Sequence, residues 1–284
     1  MLSPLRYPGG KAKLFPFFSK LIAENDLYDR IYAEPYAGGA GLALKLLAHG
    51  YVRKIELNDI DPAIAAFWHA VLNETEAFCS LVSSVELSVN EWRRQKEIYA
   101  KGISTDTLKL AFATYFLNRT SRSGIIEGSG PIGGYAQSGE WKIDARFNRT
   151  VQIAQLFEIA RFKENIQVSC LDALDFTAEK LSSSAYFTYL DPPYYVKGQK
   201  LYKNFYVHDD HLEISKLLNF SKCGTWILSY DYTPEIIAMY PQFSPLVYSL
   251  QYSAGAVGKG FEVMFAGDEL HIPEYEGFQL AASI

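Results

Sequence analysis

The first seventy residues alternate between apolar runs of strand length and stretches with helical periodicity. The spacing of apolar positions predicts a helix over 13–23, a strand over 31–35, a glycine-rich turn and a second helix over 42–48. A strand over 54–58 follows, and Pro62 stands where a third helix would begin. Strand, helix and strand in this order form a βαβ unit, which predicts a parallel sheet and an α/β fold.

The pattern changes after residue 72 and returns near residue 164. Residues 73–118 predict helices without strands, and 119–149 scatter six glycines among Arg, Ser and Tyr, which predicts a long irregular loop. Strand patterns then resume at 166–169, 186–190 and 225–229, with a closing hairpin formed by 247–250 and 262–265. We therefore predict a catalytic core of residues 1–72 and 164–284, interrupted by an insert at 73–163.

The composition of the 284 residues is that of a globular protein, with 49% hydrophobic and 21% charged residues. Because it has no run of 18 apolar residues, we expect no membrane span. The first residues are not followed by an apolar signal region, and we therefore expect a cytoplasmic protein. Cys79, Cys170 and Cys223 have neither disulfide nor zinc spacing, and we expect no metal.

Charge is distributed unevenly along the chain, although the net charge is only −5. Residues 90–163 contain 12 Lys and Arg against 7 Asp and Glu, while the rest of the chain contains 15 against 25. Residues 90–163 are therefore basic by +5 and the rest of the chain is acidic by −10. A basic segment of this kind favours a polyanionic partner, with chance patchiness as the alternative explanation.

The most informative chemical pattern is Asp191-Pro192-Pro193-Tyr194, which directly follows the predicted strand over 186–190. The carboxylate of Asp191 can accept a hydrogen bond from an exocyclic amino group. The prolines lack N–H donors and fix φ, so that nearby carbonyls face the cleft, and the tyrosine offers a flat face for a base. The pattern indicates methylation of an amino nitrogen, with a proline-rich turn after a buried strand as the alternative.

A second pattern, at residues 34–41 (EPYAGGAG), joins a predicted strand to a helix. Glycines there let the backbone approach a ligand and direct helix N–H groups toward it. Asp59 ends the next strand, 18 residues after Gly41, where a carboxylate can accept from ribose hydroxyls. This arrangement suits NAD as well as S-adenosylmethionine, but the absence of G-x-G-x-x-G spacing disfavours the nicotinamide cofactor.

Taken together, the motifs occur in a specific order along the chain: 6–11 (RYPGGK), 34–41, 58–61 (NDID) and 191–194 (DPPY). In this order the chain resembles the adenine-specific DNA methyltransferases of the α group, the family of the DNA adenine methylases, over nearly its whole length. Segments 118–125 (NRTSRSGI) and 142–148 (KIDARFN) are similar to the DNA-reading insert of that family.

The resemblance implies a fold, a cofactor and partners. The expected fold is an α/β, Rossmann-like S-adenosylmethionine-dependent methyltransferase core with a mixed, mostly parallel sheet and a mainly helical inserted target-recognition domain. The expected cofactor is S-adenosyl-L-methionine, and the expected substrate is double-stranded DNA. A cognate restriction endonuclease acting on the same site is a candidate partner, and we expect a monomer or a weak dimer.

The resemblance also implies roles for individual residues. The expected catalytic residues are Asp191, Pro192, Pro193 and Tyr194. The expected cofactor-binding residues are Tyr7, Lys11, Glu34, Pro35, Ala37, Gly38, Gly39, Gly41, Asp59, Ile60, Asp172 and Asp191. The expected DNA-binding residues are Asn118, Arg119, Ser121, Arg122, Arg146 and Asn148, with Arg149 as a further candidate for phosphates. Asp172 equally fits a cap of the following helix.

The expected reaction methylates the N6 amino group of an adenine that has left the duplex. Asp191 and a proline carbonyl would accept both N–H bonds, Tyr194 would stack on the base, and residues 202–206 would close over it. His211 fits better as a solvated or locally capping residue at a helix start. Alternatives are a cytosine-N4 or RNA adenine methyltransferase, and a catalytically silent DNA-binding subunit. Asp rather than Ser at 191 favours adenine, and the long insert favours DNA.

Overall fold

The fold is built on a single sheet with helices between its strands. The computed structural model describes residues 3–6, 10–196, 206–221, 224–251, 259–267 and 269–280. In these ranges the strands are β1 Ile31–Glu34, β2 Ile55–Asn58, β3 Ile166–Ser169, β4 Tyr186–Leu190, β5 Thr225–Asp231, β6 Leu246–Gln251, β7 Lys259–Ala266 and β8 Phe278–Leu280. The α-helices are α1 Phe15–Glu24, α2 Gly41–Ala48, α3 Pro62–Asn73, α4 Thr75–Ser84, α5 Val89–Ala100, α6 Thr107–Thr120, α7 Arg149–Ala160, α8 Ala173–Leu181, α9 His208–Asn219 and α10 Pro234–Met239.

The strand order is β3-β2-β1-β4-β5-β7-β6-β8. Strands β3, β2, β1, β4 and β5 are parallel neighbours, in the order typical of doubly wound nucleotide-binding folds. Strand β7 runs antiparallel to β5 and to β6, with Val247 opposite Val263. The predicted closing hairpin and the mixed, mostly parallel sheet are both confirmed, whereas β8 was not predicted.

The central strands are buried, as a parallel sheet covered on both faces requires. All seven residues of β5 are buried, and so are four of the five in β4. This explains why these strands are nearly continuous apolar runs in the sequence instead of alternating patterns. Within the described ranges, no helix is both long and apolar enough to span a membrane.

The insert is mainly helical, as predicted, since α4, α5, α6 and α7 account for most of residues 73–163. Residues 121–148 contain no α-helix, which confirms the irregular segment. Aromatic rings join the insert to the core: Phe67 of α3 stacks on Tyr115 of α6 at 5.8 Å, and Tyr115 meets Phe147 at 6.0 Å. The apolar core therefore continues from the sheet helices into the insert, and its boundaries stay a prediction.

Polar residues at the ends of the parallel strands lie along the carboxyl edge of the sheet. Strand β1 lies where the order reverses, with β2 on one side and β4 on the other, which is the position at which such sheets bind ligands. Asn58 holds this edge together and is completely buried. Its amide nitrogen donates to the carbonyls of Pro35 (3.1 Å) and Leu171 (3.0 Å), and its oxygen accepts from Ser169 Oγ (2.8 Å) and the Leu171 N–H (2.9 Å).

Candidate active site

A cavity of about 360 Å³ opens at the carboxyl ends of β1, β2 and β4. This volume lies in the range of small-molecule sites. The structure brings to its wall ten residues that the sequence analysis selected: Lys11, Glu34, Pro35, Ala37, Gly39, Gly41, Asp59, Ile60, Asp191 and Pro193. Motifs separated by up to 180 residues therefore converge on one concave surface.

The turn between β1 and α2 brings backbone close to the cavity. Gly38 has φ of +44°, a left-handed conformation that glycine adopts without a steric penalty. A Cβ on Gly41 would lie 3.2 Å from the Cβ of Ala12, so a larger residue would push the N-terminal segment away. The Gly38 N–H donates to Asp59 Oδ2 (2.9 Å), and the Gly38 carbonyl accepts from Trp68 Nε1 (2.9 Å). Gly38 thus orients Asp59 from behind the wall.

Asp59 follows β2 and presents a fixed carboxylate to the cavity. Its second oxygen, Oδ1, accepts from the Asp61 N–H at 3.0 Å. Burial raises the pKa of Asp59 to about 6, although the N–H groups of Asp61 and Gly38 oppose this rise. The group is therefore ionised at neutral pH and can accept further hydrogen bonds from ligand hydroxyls.

Glu34 ends β1 and is buried, with 6% of its surface exposed. Its Oε1 accepts from the Tyr32 hydroxyl at 2.9 Å. Burial raises the pKa of Glu34 to about 8, and the charge of Asp191 adds to the rise, while the Tyr32 bond and Lys11 lower it. At neutral pH this wall residue is mostly a neutral acid, which can donate a hydrogen bond as well as accept one.

Asp191 follows β4 and is held by two side chains. Lys11 Nζ lies 2.7 Å from Oδ1 and 2.9 Å from Oδ2, and Ser229 Oγ donates to Oδ1 at 3.0 Å. Ser229 is in turn bonded to the Tyr189 hydroxyl at 2.7 Å. Burial raises the pKa of Asp191, and Lys11 opposes the rise. Lys11, expected to contact the cofactor, is thus in direct ion pairing with the candidate catalytic carboxylate.

Tyr194 has a different position from the one expected. It is 1% exposed, and in the described part of the chain the cavity wall includes Pro193 but not Tyr194. Its hydroxyl donates to Glu262 Oε1 at 2.5 Å and accepts from Lys11 Nζ at 3.2 Å. The ring therefore lies behind the cavity wall, and stacking on a base would require it to move.

Asp231, at the end of β5, holds the turn that follows Tyr194. Its carboxylate accepts from the backbone N–H groups of Tyr195 (2.8 Å) and Val196 (3.1 Å). The backbone after β4 is therefore held at its start by the strand and at residues 195–196 by Asp231, with Pro192 and Pro193 between these two points.

Aromatic side chains close one side of the cavity. Tyr36 and Tyr206 line it, and their hydroxyls are 3.1 Å apart. Behind them, His211 lies in the first turn of α9, as expected, but it is 1% exposed, which makes the expectation of a solvated residue wrong. Its Nδ1 bonds to the Tyr230 hydroxyl at 2.9 Å, and burial lowers the pKa of His211 to about 4. The ring is therefore neutral at physiological pH.

Among the expected cofactor residues that the structure describes, Gly38 and Asp172 are not on the cavity wall. Tyr7 lies outside the described residues, as do residues 202–205 of the segment expected to close over the base. Asp172 caps α8, because its Oδ1 accepts from the Leu174 N–H at 2.8 Å, and the neighbouring Ala173 reaches the wall instead. Of the two interpretations of Asp172, the structure therefore shows the cap.

Two of the expected DNA-binding side chains are internal. Asn118 is 3% exposed; its Oδ1 accepts from the Arg6 N–H (2.7 Å), and its Nδ2 donates to the carbonyls of Arg6 (2.9 Å) and Gly124 (3.0 Å). Ser121 is completely buried, and its Oγ accepts from Trp92 Nε1 at 3.1 Å. In this arrangement neither side chain can reach DNA, because both tie the insert together from inside.

The remaining expected DNA contacts divide into anchored and exposed groups. Arg119 donates twice to the Arg146 carbonyl, at 2.9 and 2.6 Å, so it holds the loop from within. Asn148 caps α7, accepting from the Val151 N–H at 3.1 Å. Arg149 donates to the Val85 carbonyl, which also places it in an internal contact. The side chains of Arg122 and Arg146 are exposed.

Several residues of the site and its surroundings were not selected from the sequence. Asp231 is the last residue of β5, as Glu34 is of β1, and Ser229 lies two residues earlier; this position near the end of a strand was the signal available for both. Glu262 is a single acid within the apolar strand residues 261–265, and its complete burial makes it unusual. Trp141 is 65% exposed on the irregular loop, where a large aromatic side chain has no core to fill.

Comparison with known proteins finds similarity to methyltransferases. The chain is 24% identical over 206 residues to the type II methyltransferase M.MjaIII of Methanocaldococcus jannaschii, covering 67% of this chain and 68% of that protein. Two solved structures align at a TM-score of 0.34 and 10% identity: HI0767 of Haemophilus influenzae, assigned as a methylase (88% of this chain, 94% of that one), and yhhF of Escherichia coli, assigned as a methyltransferase (90% and 82%). At that similarity the two structures carry no functional argument.

The family comparison is decisive because it covers most of the chain. The model of the D12 class N6 adenine-specific DNA methyltransferases matches residues 7–253. This range spans the glycine turn, Asp59, the helical insert and Asp191, so that the match includes both the cavity and the insert. The chain therefore belongs to the D12 class of N6 adenine-specific DNA methyltransferases.

Proposed function

We propose that this methyltransferase transfers a methyl group from S-adenosylmethionine to the N6 amino group of an adenine flipped out of duplex DNA. The observation that carries the proposal is the position of Asp191 on the wall of a cavity that also contains the glycine turn and Asp59. One end of the cavity therefore suits a nucleoside with a ribose, and the other offers an acceptor for an amino group.

The residues around the cavity fit the proposed cofactor. The turn at 35–41 provides a close backbone surface, and the ionised Asp59 can accept from the two ribose hydroxyls. Glu34 adds a neutral acid that can donate. When bound, S-adenosylmethionine would supply an electrophilic methyl group on a sulfonium, and its sulfur would keep the electrons of the C–S bond that breaks when the amino nitrogen accepts the methyl.

The role of Asp191 follows from the chemistry of an aromatic amine. The nitrogen lone pair of adenine N6 is delocalised into the ring, which makes the amino group a poor nucleophile. Asp191 would accept one N–H, and a backbone carbonyl of the Pro192–Pro193 turn would accept the other. Holding both hydrogens turns the lone pair toward the methyl group, and positioning then supplies much of the rate. The surplus proton leaves the nitrogen after transfer, to Asp191 or to water.

The target base must reach this cavity from outside the duplex, because a stacked adenine cannot enter it. Tyr206 and Pro193, which line the wall, offer surfaces for the flipped base. The exposed Arg122 and Arg146 can contact phosphates, and Trp141 offers a surface for stacking on a base. The irregular loop thus combines the charge and the aromatic surface that DNA binding needs.

The test is incubation of the protein with labelled S-adenosylmethionine and duplex DNA of mixed sequence, followed by mass spectrometry of the nucleosides. N6-methyladenine is the expected product. N4-methylcytosine, or methylation of RNA in a parallel reaction, would replace the proposed substrate with one of the alternatives. Cofactor binding without any methylated nucleoside would favour the silent DNA-binding subunit.

A further inference from the structure

Glu262 is a buried carboxylate that the reaction described above does not use. It lies on β7, outside the residues matched by the family, and is completely buried. Its Oε1 accepts from the Tyr194 hydroxyl at 2.5 Å, and its Oε2 accepts from the Tyr248 hydroxyl at 2.6 Å. Lys11 Nζ lies 3.8 Å from Oε2. Glu262 therefore contacts both Tyr194 and Lys11, and these two side chains also contact each other next to Asp191.

Burying a carboxylate destabilises a protein unless the charge is paired, and an apolar residue at the same strand position would not carry this desolvation penalty. The two phenol donors and the Lys11 ammonium compensate for that cost here. Such an arrangement does not stabilise a sheet better than packed apolar side chains do. This makes a role in the neighbouring active site the better explanation for the acid.

The contacts of Lys11 suggest what that role is. Lys11 is bonded to both oxygens of Asp191, at 2.7 and 2.9 Å, and Ser229 occupies a further acceptor position. These three bonds leave Asp191 one of its four acceptor positions, on Oδ2 beside Lys11, so an adenine amino group that binds there competes with Lys11 for the carboxylate. An ammonium that leaves its only carboxylate inside a protein loses its counter-charge, and this movement would then be strongly disfavoured.

We propose that Glu262 is a positioning residue: it holds Lys11 and Tyr194 so that Lys11 can release an oxygen of Asp191 to the substrate amino group. Lys11 moves from Asp191 toward Glu262 and remains paired throughout. Tyr194, bonded to both Lys11 and Glu262, fixes the path of this movement. The inference rests on the proposed function, since it assumes that an amino group binds to Asp191.

The charges around the site are consistent with this assignment. Burial is the main cause that raises the pKa of Asp191; Lys11 opposes the rise and the Glu262 charge adds to it. Asp191 and Glu262 thus both lie within 4 Å of the Lys11 ammonium, and the other titratable groups nearby are Glu34 and the hydroxyls of Tyr32, Tyr189, Tyr194 and Tyr248. Removing the charge of Glu262 would take away the second carboxylate within 4 Å of Lys11 and so strengthen the pairing of Lys11 with Asp191.

The test compares Glu262→Gln with Tyr248→Phe. The first variant keeps the size and an acceptor oxygen but removes the charge, and the second removes one phenol donor to the same carboxylate but keeps the charge. We expect Glu262→Gln to lower kcat about 100-fold, as a misplaced catalytic group does. Its Kd for S-adenosylmethionine and KM for DNA should stay within about twofold of wild type, and Tyr248→Phe should keep kcat within about threefold.

Two outcomes would overturn the inference: wild-type kcat in folded Glu262→Gln, or an equal loss of kcat in both variants, which would indicate packing instead of charge. Should Glu262→Gln not fold, Glu262→Asp serves instead, because it moves the charge back by one methylene. It should lower kcat about tenfold, and an unchanged kcat would overturn the inference equally. Wild-type protein in the same assay separates the two proposals. A wild type that transfers no methyl group refutes the proposed function itself, whereas an active wild type with an equally active Glu262→Gln refutes only the role of Glu262.

Discussion

Replacement of Asn118 by alanine tests whether this residue supports the fold or reads DNA. The side chain makes three hydrogen bonds, to the N–H and carbonyl of Arg6 and to the carbonyl of Gly124. These bonds join the N-terminal segment, which leads to Lys11, to the insert. Alanine removes all three and leaves the backbone groups of Arg6 and Gly124 without these partners.

The expected loss can be worked from the contacts. A typical intramolecular hydrogen bond contributes about 0.5–1.5 kcal/mol to stability, so three bonds give a loss of about 2–4 kcal/mol in the free energy of unfolding. Urea denaturation followed by circular dichroism measures this loss as a lower midpoint at an unchanged slope. The Kd for DNA, measured at a temperature where the variant is folded, should change less than about threefold.

Asn148→Ala is the matched control, because it removes a single helix-capping bond from an exposed asparagine of the same insert. A loss of about 1 kcal/mol is expected for such a cap. A structural role for Asn118 is contradicted if Asn118→Ala is as stable as the wild type while its affinity for DNA falls tenfold or more. That result would place the Asn118 side chain on the DNA instead of inside the protein.

Two further predictions concern charge. Replacing Arg122 and Arg146 together by alanine should weaken DNA binding. It should also reduce by about 2 the slope of log Kd against log salt concentration, since each phosphate contact contributes about 0.9. The control Arg53→Ala, which removes an exposed arginine paired with Asp29, should change neither quantity. Because the pKa of Glu34 is raised to about 8, the folded protein retains a proton that the unfolded chain loses, and stability falls as pH rises from 5 to 7. In urea titrations, the free energy of unfolding of Glu34→Gln should rise by about 2 kcal/mol relative to that of wild type between pH 5 and pH 7. A difference between the two proteins that does not change with pH would contradict the raised pKa of Glu34.

Much of the site could be predicted because its residues occupy local positions with a clear meaning. Glu34, Asp59 and Asp191 each stand at or directly after the end of a strand, and the carboxyl ends of parallel strands share one edge of the sheet. Recognising the strands and their order therefore places these side chains together. The glycine turn was identifiable for a similar reason, because its spacing already marks a close backbone approach.

Other assignments depended on contacts that the sequence pattern does not contain. Asn118 lies in a segment similar to a DNA-reading insert, yet its partner Arg6 is 112 residues away. Whether a polar side chain faces solvent or the interior is decided by such distant partners. Glu262 reaches the site only because β7, the second strand of the closing hairpin, pairs with β5, and its partner Tyr194 is 68 residues earlier in the chain.

The most direct test of the account is methyl transfer to DNA by Asp191→Ala, measured beside its binding of S-adenosylmethionine. The remaining contact of Lys11 with Glu262 should keep the variant folded. We expect N6-methyladenine formation to fall by at least about 100-fold while the Kd for the cofactor stays within a few-fold of wild type. Transfer at a near-wild-type rate would contradict the account, because the amino group would then be held by something other than Asp191.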